Sequence, residues 1–386
     1  MSAQGVRYVI DADGHVVEPP DMLHRYIEPK FRPVLPRHSV NEEGYDVLDP
    51  VEPRIAPGNA FFPEAKTVVN CMALNAGRPW EDAFQPYRKG IKGAWDPHER
   101  IKDMDLDGMD IAVLYPTFAL GFIENAELYG AICRAYNNWV ADYCKPYPKR
   151  LFAVAAVALQ DIDGAIRELR RCVKDLGMVG VFIRPNPYVE HRKLHDPVYD
   201  PFWRAVEELD VAVGIHPFLQ EDMPGAVRGM ELFDTDAIVF KQALGNPFDM
   251  MTALASFTLG GILARFPRLR VAFLEANGGW VVPMLERFDH HYDVWHKQLL
   301  PWLDRRPSEL FAQGSYISFD VDEKLLARTA KLLGAEHLIW ASDYPHPDAK
   351  LPGVVAELKH NCAELPPLEQ GQIIGENAVA LYRLPV

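Results

Sequence analysis

Short apolar runs alternate with longer stretches in which apolar residues return every three or four positions, and this alternation continues from residue 7 to the end of the chain. The short runs read as buried parallel strands at 7–12 (RYVIDA), 110–115 (DIAVLY), 151–157 (LFAVAAV), 178–183 (MVGVFI), 211–215 (VAVGI), 270–275 (RVAFLE), 315–319 (SYISF) and 337–341 (HLIWA). The longer stretches predict helices over 127–145, 162–176, 200–209, 247–265, 280–297, 323–333 and 366–383. In 162–176, Ile166, Leu169, Cys172, Val173 and Leu176 form one stripe, and Gly177 follows where a left-handed C-terminal cap is needed. Eight strands alternating with helices predict an α/β protein of the (β/α)8 TIM-barrel class, one domain spanning 1–386. Two segments lack clean periodicity and are rich in Pro, Gly and aromatic residues: 16–109 after strand one and 217–246 after strand five. Both are expected to be insertions that wall the active site.

Composition narrows the class. The chain has 386 residues, 48% of them hydrophobic, enough for one large core. A net charge of −14 without a basic stripe argues against nucleic acid as a partner. Five cysteines (Cys71, Cys133, Cys144, Cys172, Cys362) without metal-finger spacing point to reduced thiols and a cytoplasmic setting. Residues 1–10 have no signal-peptide pattern, and no uninterrupted apolar run reaches bilayer length, so no membrane association is expected. No Gly-x-Gly-x-x-Gly opens a helix after a strand, which argues against a flavin or nicotinamide cofactor. A small molecule is the expected partner.

The candidate chemistry sits at strand ends. Asp13 and His15 lie two apart on one strand and share a face. His216 ends strand five, Glu275 ends strand six and Asp343 follows strand eight. In a (β/α)8 barrel such ends meet on one rim, and imidazoles with carboxylates are what a divalent metal recruits. Asp11 and Glu18 flank the first pair as candidates to orient His15. His346, three residues past Asp343, is a candidate proton donor alongside Asp343 and Glu275. Arg184, in FIRPNP, is a candidate clamp for a substrate carboxylate.

The segments IDADGHVVEPPDM, RIKDMDLDGMDIAVLYPT, GIHPF, RFPRLRVAFLEANGGWVVPMLERFD and ASDYPHPD together resemble the amidohydrolase superfamily, in the branch that includes aminocarboxymuconate semialdehyde decarboxylase and γ-resorcylate decarboxylase. The resemblance covers nearly the whole chain. It implies one divalent metal held by Asp13, His15, His216 and Asp343. Zinc is the first expectation, with manganese as the alternative because Asp13 stands where relatives carry His or Glu. Arg184 occupies the region where a bridging Lys would stand, which implies a mononuclear site. Decarboxylase relatives carry a His after strand six; here Asn277 takes that place and Glu275 is the nearest ionisable group. The implied activity is non-oxidative decarboxylation of an aromatic or unsaturated carboxylic acid, with hydrolysis or hydration on the same fold as the rival and a non-catalytic binding barrel as a third reading. Relatives imply a homo-oligomer, expected to be a dimer.

Overall fold

The computed structural model describes residues 7–51, 61–189, 192–218, 222–226 and 238–386. Eight parallel strands follow one another in the sheet in chain order, with helices in the connections, which is the (β/α)8 topology. The chain divides into two compact units, residues 9–178 with 342–356, and residues 1–8 with 179–341 and 357–386.

The first unit holds β1 (Ile10–His15), β2 (Ile111–Tyr115) and β3 (Leu151–Ala156), all fully buried. Ile10 pairs with Ile111 and Ala112 with Leu151 in parallel register. Helices Ala126–Cys144 and Ile162–Asp175 match the sequence pattern to within a residue or so. Each starts at a side-chain cap: Asn125 accepts from the Leu128 amide and Asp161 from the Gly164 amide. Gly177 adopts φ +71°, as its place after the helix requires.

The expected insertion 16–109 is shorter than its composition suggested, because Pro97–Asp107 is a helix. Asp96 caps it by accepting from the His98 amide, and Gly108 ends it at φ +73°. Its buried face carries Arg100 beside Ile101 and Met104, and a buried cation breaks the apolar period that would have revealed it. The rest of the segment includes a three-stranded antiparallel sheet, Arg37–Val40, Asp46–Asp49 and Thr67–Val68. Residues 52–60 lie outside the described residues.

The second unit holds β4 (Gly180–Ile183), β5 (Ala212–Ile215), β6 (Arg270–Phe273), β7 (Ser315–Asp320) and β8 (Leu338–Ala341). Aromatic rings join its helices to the sheet. Trp203 packs edge-on against Phe257 at 5.3 Å, Phe257 against Phe273 at 6.0 Å, and Phe273 stacks on Phe311 at 6.2 Å. The stretch expected as one helix over 247–265 divides into Asn246–Phe257 and Ile262–Arg265, since Gly261 takes φ +76° between them. The helix expected at 323–333 begins only at Leu326, because the Glu323 carboxylate turns back to accept from the amides of Gly278 and Asp320.

Of the expected insertion 217–246, residues 219–221 and 227–237 lie outside the described residues. Its last part, Ile238–Phe240 and a π turn at Lys241–Gly245, runs straight into the helix from Asn246. The span Ile238–Arg265 is long and apolar enough by composition to cross a bilayer, but half of its most apolar window is buried inside the protein, as for a core helix.

Candidate metal centre

In the first unit, β1 delivers Asp13 and His15 through a break in its register with β2 between Asp11 and Gly14. Gly14 is required there: a Cβ would run into the Asp11 carboxylate and the Arg100 guanidinium. His15 is completely buried. Its Nδ1–H donates to the Pro116 carbonyl at 2.8 Å, a partner that can only accept, so Nε2 is left with its lone pair. That Nε2 lies 3.4 Å from Asp343 Oδ1 and 3.9 Å from Asp13 Oδ1. Asp343 sits at φ +52°, a left-handed conformation uncommon for a non-glycine residue and frequent at functional sites.

His346 joins this group. Its ring lies against that of His15, tilted by 33° with centroids 4.3 Å apart, and its Nδ1 lies 2.7 Å from Asp343 Oδ1. Donor atoms of His15, Asp343 and His346 all fall within 4.8 Å of one another. The opposite ring nitrogen, Nε2, lies 2.9 Å from the Thr117 hydroxyl. The same hydroxyl lies 2.8 Å from the Val16 carbonyl, to which it donates. Both ring nitrogens of His346 are thus within hydrogen-bond distance of an oxygen, Asp343 Oδ1 on one side and the Thr117 hydroxyl on the other.

The expected orienters of His15 act elsewhere. Asp11 accepts from the Ser342 amide at 3.0 Å and its hydroxyl at 2.6 Å, tying β1 to the segment that carries Asp343. Burial raises the Asp11 pKa, against the opposing Ser342 hydrogen bond and the Arg100 charge. Glu18 accepts from the amides of Phe118 at 2.8 Å and Ala119 at 3.0 Å, and burial pushes its carboxyl up to about 7. A main-chain carbonyl at the end of β2 thus does the work expected of a carboxylate. Two residues escaped the sequence reading. Arg100 donates to the His15 carbonyl at 2.7 Å while its guanidinium lies 4.2 Å over the Tyr344 ring. Thr117 holds His346. Both belong to the segment RIKDMDLDGMDIAVLYPT, whose length within the resemblance was the available signal.

The second unit carries His216, Glu275 and Arg184. His216 is fully buried, and its Nδ1–H donates to the Pro217 carbonyl at 2.8 Å, which turns Nε2 to the opposite side. That Nε2 lies 2.8 Å from Glu275 Oε2, an approach of two lone-pair atoms that needs a shared proton or a cation. Glu275 and Asn277 both adopt positive φ, +45° and +55°, in the turn after β6. Asn277 does not point toward His216's partner: its amide donates to Asp320 at 2.7 Å. The Asn246 amide reaches the Glu275 carbonyl at 3.2 Å. Arg184, buried, makes two contacts of 3.2 and 3.0 Å to the Asp222 carboxylate, so a substrate carboxylate would have to compete with that pair.

A groove of about 840 Å³, lined by Phe248, Met251, Met284, Phe288 and Trp302 among others, also opens in this unit.

Imidazoles and carboxylates carried at the C-terminal ends of parallel (β/α)8 strands are the equipment of a metal-dependent hydrolase or lyase. The family model for amidohydrolases matches residues 10–384, and the chain belongs to that family. The 2-amino-3-carboxymuconate-6-semialdehyde decarboxylase of Dictyostelium discoideum is 27% identical over 300 residues, 77% of this chain and 79% of that one. The γ-resorcylate decarboxylase of a Rhizobium species is 30% identical over 259 residues, 64% of this chain and 76% of that one. A dihydroxybenzoic acid decarboxylase from a Polaromonas species, solved with bound manganese and the inhibitor 2-nitroresorcinol, shares the fold over 98% of both chains, with a TM-score of 0.64 and 17% identity.

Proposed function

We propose that the protein is a metal-dependent, non-oxidative decarboxylase of an aromatic or unsaturated carboxylic acid. The observation that carries this reading is the 2.7 Å contact between His346 Nδ1 and Asp343 Oδ1, set against the His15 ring. The donor set suits one divalent cation, zinc or manganese, held by Asp13, His15, His216 and Asp343. Two of these are imidazoles whose Nδ1 lies 2.8 Å from a main-chain carbonyl, so that Nε2 is the nitrogen that would meet the ion. Manganese in the Polaromonas relative supports the hard-ligand alternative that Asp13 favours.

The metal, when bound, would supply Lewis acidity toward the substrate's carboxylate and a neighbouring oxygen. The remaining work falls to the chain. When the bond between the substrate carbon and its carboxylate breaks, the electron pair stays on that carbon and carbon dioxide leaves. The proton held between His346 Nδ1 and Asp343 Oδ1 is placed to neutralise the carbon. Asn277 occupies the place that relatives fill with a histidine after strand six, and Glu275, with Oε2 2.8 Å from His216 Nε2, is the nearest group that could act there as acid or base.

Metal analysis of protein purified without chelator tests the ligand set, with Asp343→Asn and His216→Ala as variants. About one equivalent in the parent and loss in both variants is expected. Reaction of hydroxybenzoates in heavy water tests the chemistry: one deuterium should appear at the carbon that lost carbon dioxide. Metal-free protein with folded, unaltered variants, or a product that has gained water, would remove the proposal.

A further inference from the structure

The helix Asn246–Phe257 is apolar on two sides. Met250, Ala253, Leu254 and Phe257 are buried in the core. Phe248, Met251, Thr252 and Ala255, spaced to share another helical face, instead line the groove of about 840 Å³ in the second unit. Met284 and Phe288, one turn apart on the helix Val281–Leu299, supply further wall together with Trp302. Phe248 and Trp302 keep 45% and 53% of their surface exposed, so these rings stand open to a ligand.

One buried polar group in this wall has no partner. Asn186 lines the groove with only 2% of its surface exposed, and its Oδ1 accepts no hydrogen bond from the described residues. A buried acceptor left in that state is costly, and it calls for a donor from outside the chain. Asn186 is also held in place. It stands between Pro185 and Pro187, and a residue before proline is confined to extended backbone. Among the described lining residues only Lys193 carries a fixed charge, and it is exposed. His195, whose pKa burial lowers, has its Nδ1 3.2 Å from the Ser256 hydroxyl. The interior thus offers apolar walls and one acceptor, and no buried cation to hold a carboxylate.

We propose that the groove binds a neutral aryl alcohol, its flat rings against the methionine and aromatic side chains and its hydroxyl donating to Asn186 Oδ1. The volume falls within the roughly 300–1,000 Å³ of small-molecule sites. None of the proposed metal ligands is among the described residues that line it. Loss of carbon dioxide from a hydroxybenzoic acid would leave such an alcohol; that connection rests on the decarboxylase reading, whereas the binding claim does not.

Titration calorimetry of the full chain, as purified, with 2-naphthol and naphthalene tests the site. The parent should bind 2-naphthol about 5- to 10-fold more tightly than naphthalene. Asn186→Leu should bind the two within about twofold of each other without a lower urea midpoint, since the Oδ1 it removes has no hydrogen bond to lose. Ala255→Trp, which fills the groove, should bind neither. In protein carrying ¹³C-methyl methionine, 2-naphthol should shift the Met251 and Met284 resonances, assigned through Met251→Leu and Met284→Leu, and 2-naphthoate should not. Equal affinity of the parent for both neutral probes overturns the proposal, as does a preference that survives Asn186→Leu. Self-association that Ala255→Trp abolishes, with no probe bound, also overturns it and makes the groove a contact between copies of this chain. None of these readouts needs turnover, so a protein that decarboxylates no acid would lose the function proposed above while the groove is still judged by its own probes.

Discussion

Replacing Glu18 by glutamine should make the stability of the protein less sensitive to pH. Glu18 is fully buried beside β1, and loss of hydration raises its carboxyl from 4.5 to about 7 even though the amides of Phe118 and Ala119 favour the ionised form. The folded state therefore holds this proton more tightly than the unfolded chain does. The associated stability is fully present below pH 4.5, declines as pH rises toward 7, and is gone once pH has passed through the folded value. A rise of this size corresponds to about 3 kcal/mol, of which about 2.5 kcal/mol falls between pH 5 and pH 9. Glutamine has no proton to lose, so the stability of Glu18→Gln relative to the parent should climb by that amount across the same window. Equilibrium urea unfolding of both proteins in chelator, followed by tryptophan emission, measures it, and subtraction cancels the other titrating groups. A difference that stays flat within about 0.5 kcal/mol, or one that falls toward alkaline pH, would refute the reasoning.

Three further outcomes follow from the same geometry. Saturating zinc or manganese, at about 100 times its dissociation constant, should stabilise the parent by roughly 2.7 kcal/mol and Asp343→Asn by far less, as read from thermal unfolding; an equal gain in both would place the metal elsewhere. Gly14→Ala should destabilise by about 1–3 kcal/mol and reduce metal content, because its Cβ collides with the buried Asp11 and Arg100 side chains; a variant with parental Tm and metal would contradict the packing. Asp222→Asn should cost about 3 kcal/mol by breaking the buried pair with Arg184, and urea unfolding that shows no loss would free Arg184 for the substrate role first expected of it.

The strands were legible because each is a short apolar run ended by polar or turn-forming residues, and a ligand candidate at such an end needs no tertiary knowledge to find. Asp13, His15, His216 and Asp343 were all visible in that way. What stayed hidden has one physical character: it is polar and buried. Arg100 interrupts the apolar face of its own helix, so the period that marks Pro97–Asp107 is lost to pattern reading. Glu18 and Asp11 look like neighbours of His15 in sequence, yet their partners are Ser342, Phe118 and Ala119, set by folding over long separations. Arg184 at a strand end looks like a free clamp until Asp222, 38 residues on, is brought against it.

The two proposed ligand histidines are prepared by the same device. His15 donates to the carbonyl of Pro116 and His216 to that of Pro217, where a carboxylate often serves in metal sites. The choice changes the electrostatics. A carboxylate behind each ring would add a negative charge, beside Asp13 and Asp343 for His15 and beside Glu275 for His216. A carbonyl can hold the same Nδ1 proton without adding that charge. His346 is treated in the opposite way. A carboxylate, that of Asp343, lies 2.7 Å from its Nδ1, and the Thr117 hydroxyl lies 2.9 Å from its Nε2. The rings of His15 and His346 lie 4.3 Å apart, and under the proposed function one would give an electron pair to the metal and the other a proton to the substrate carbon. The partner behind each ring differs, the Pro116 carbonyl for one and the Thr117 hydroxyl for the other. A decarboxylase needs both properties within reach of a single substrate carboxylate.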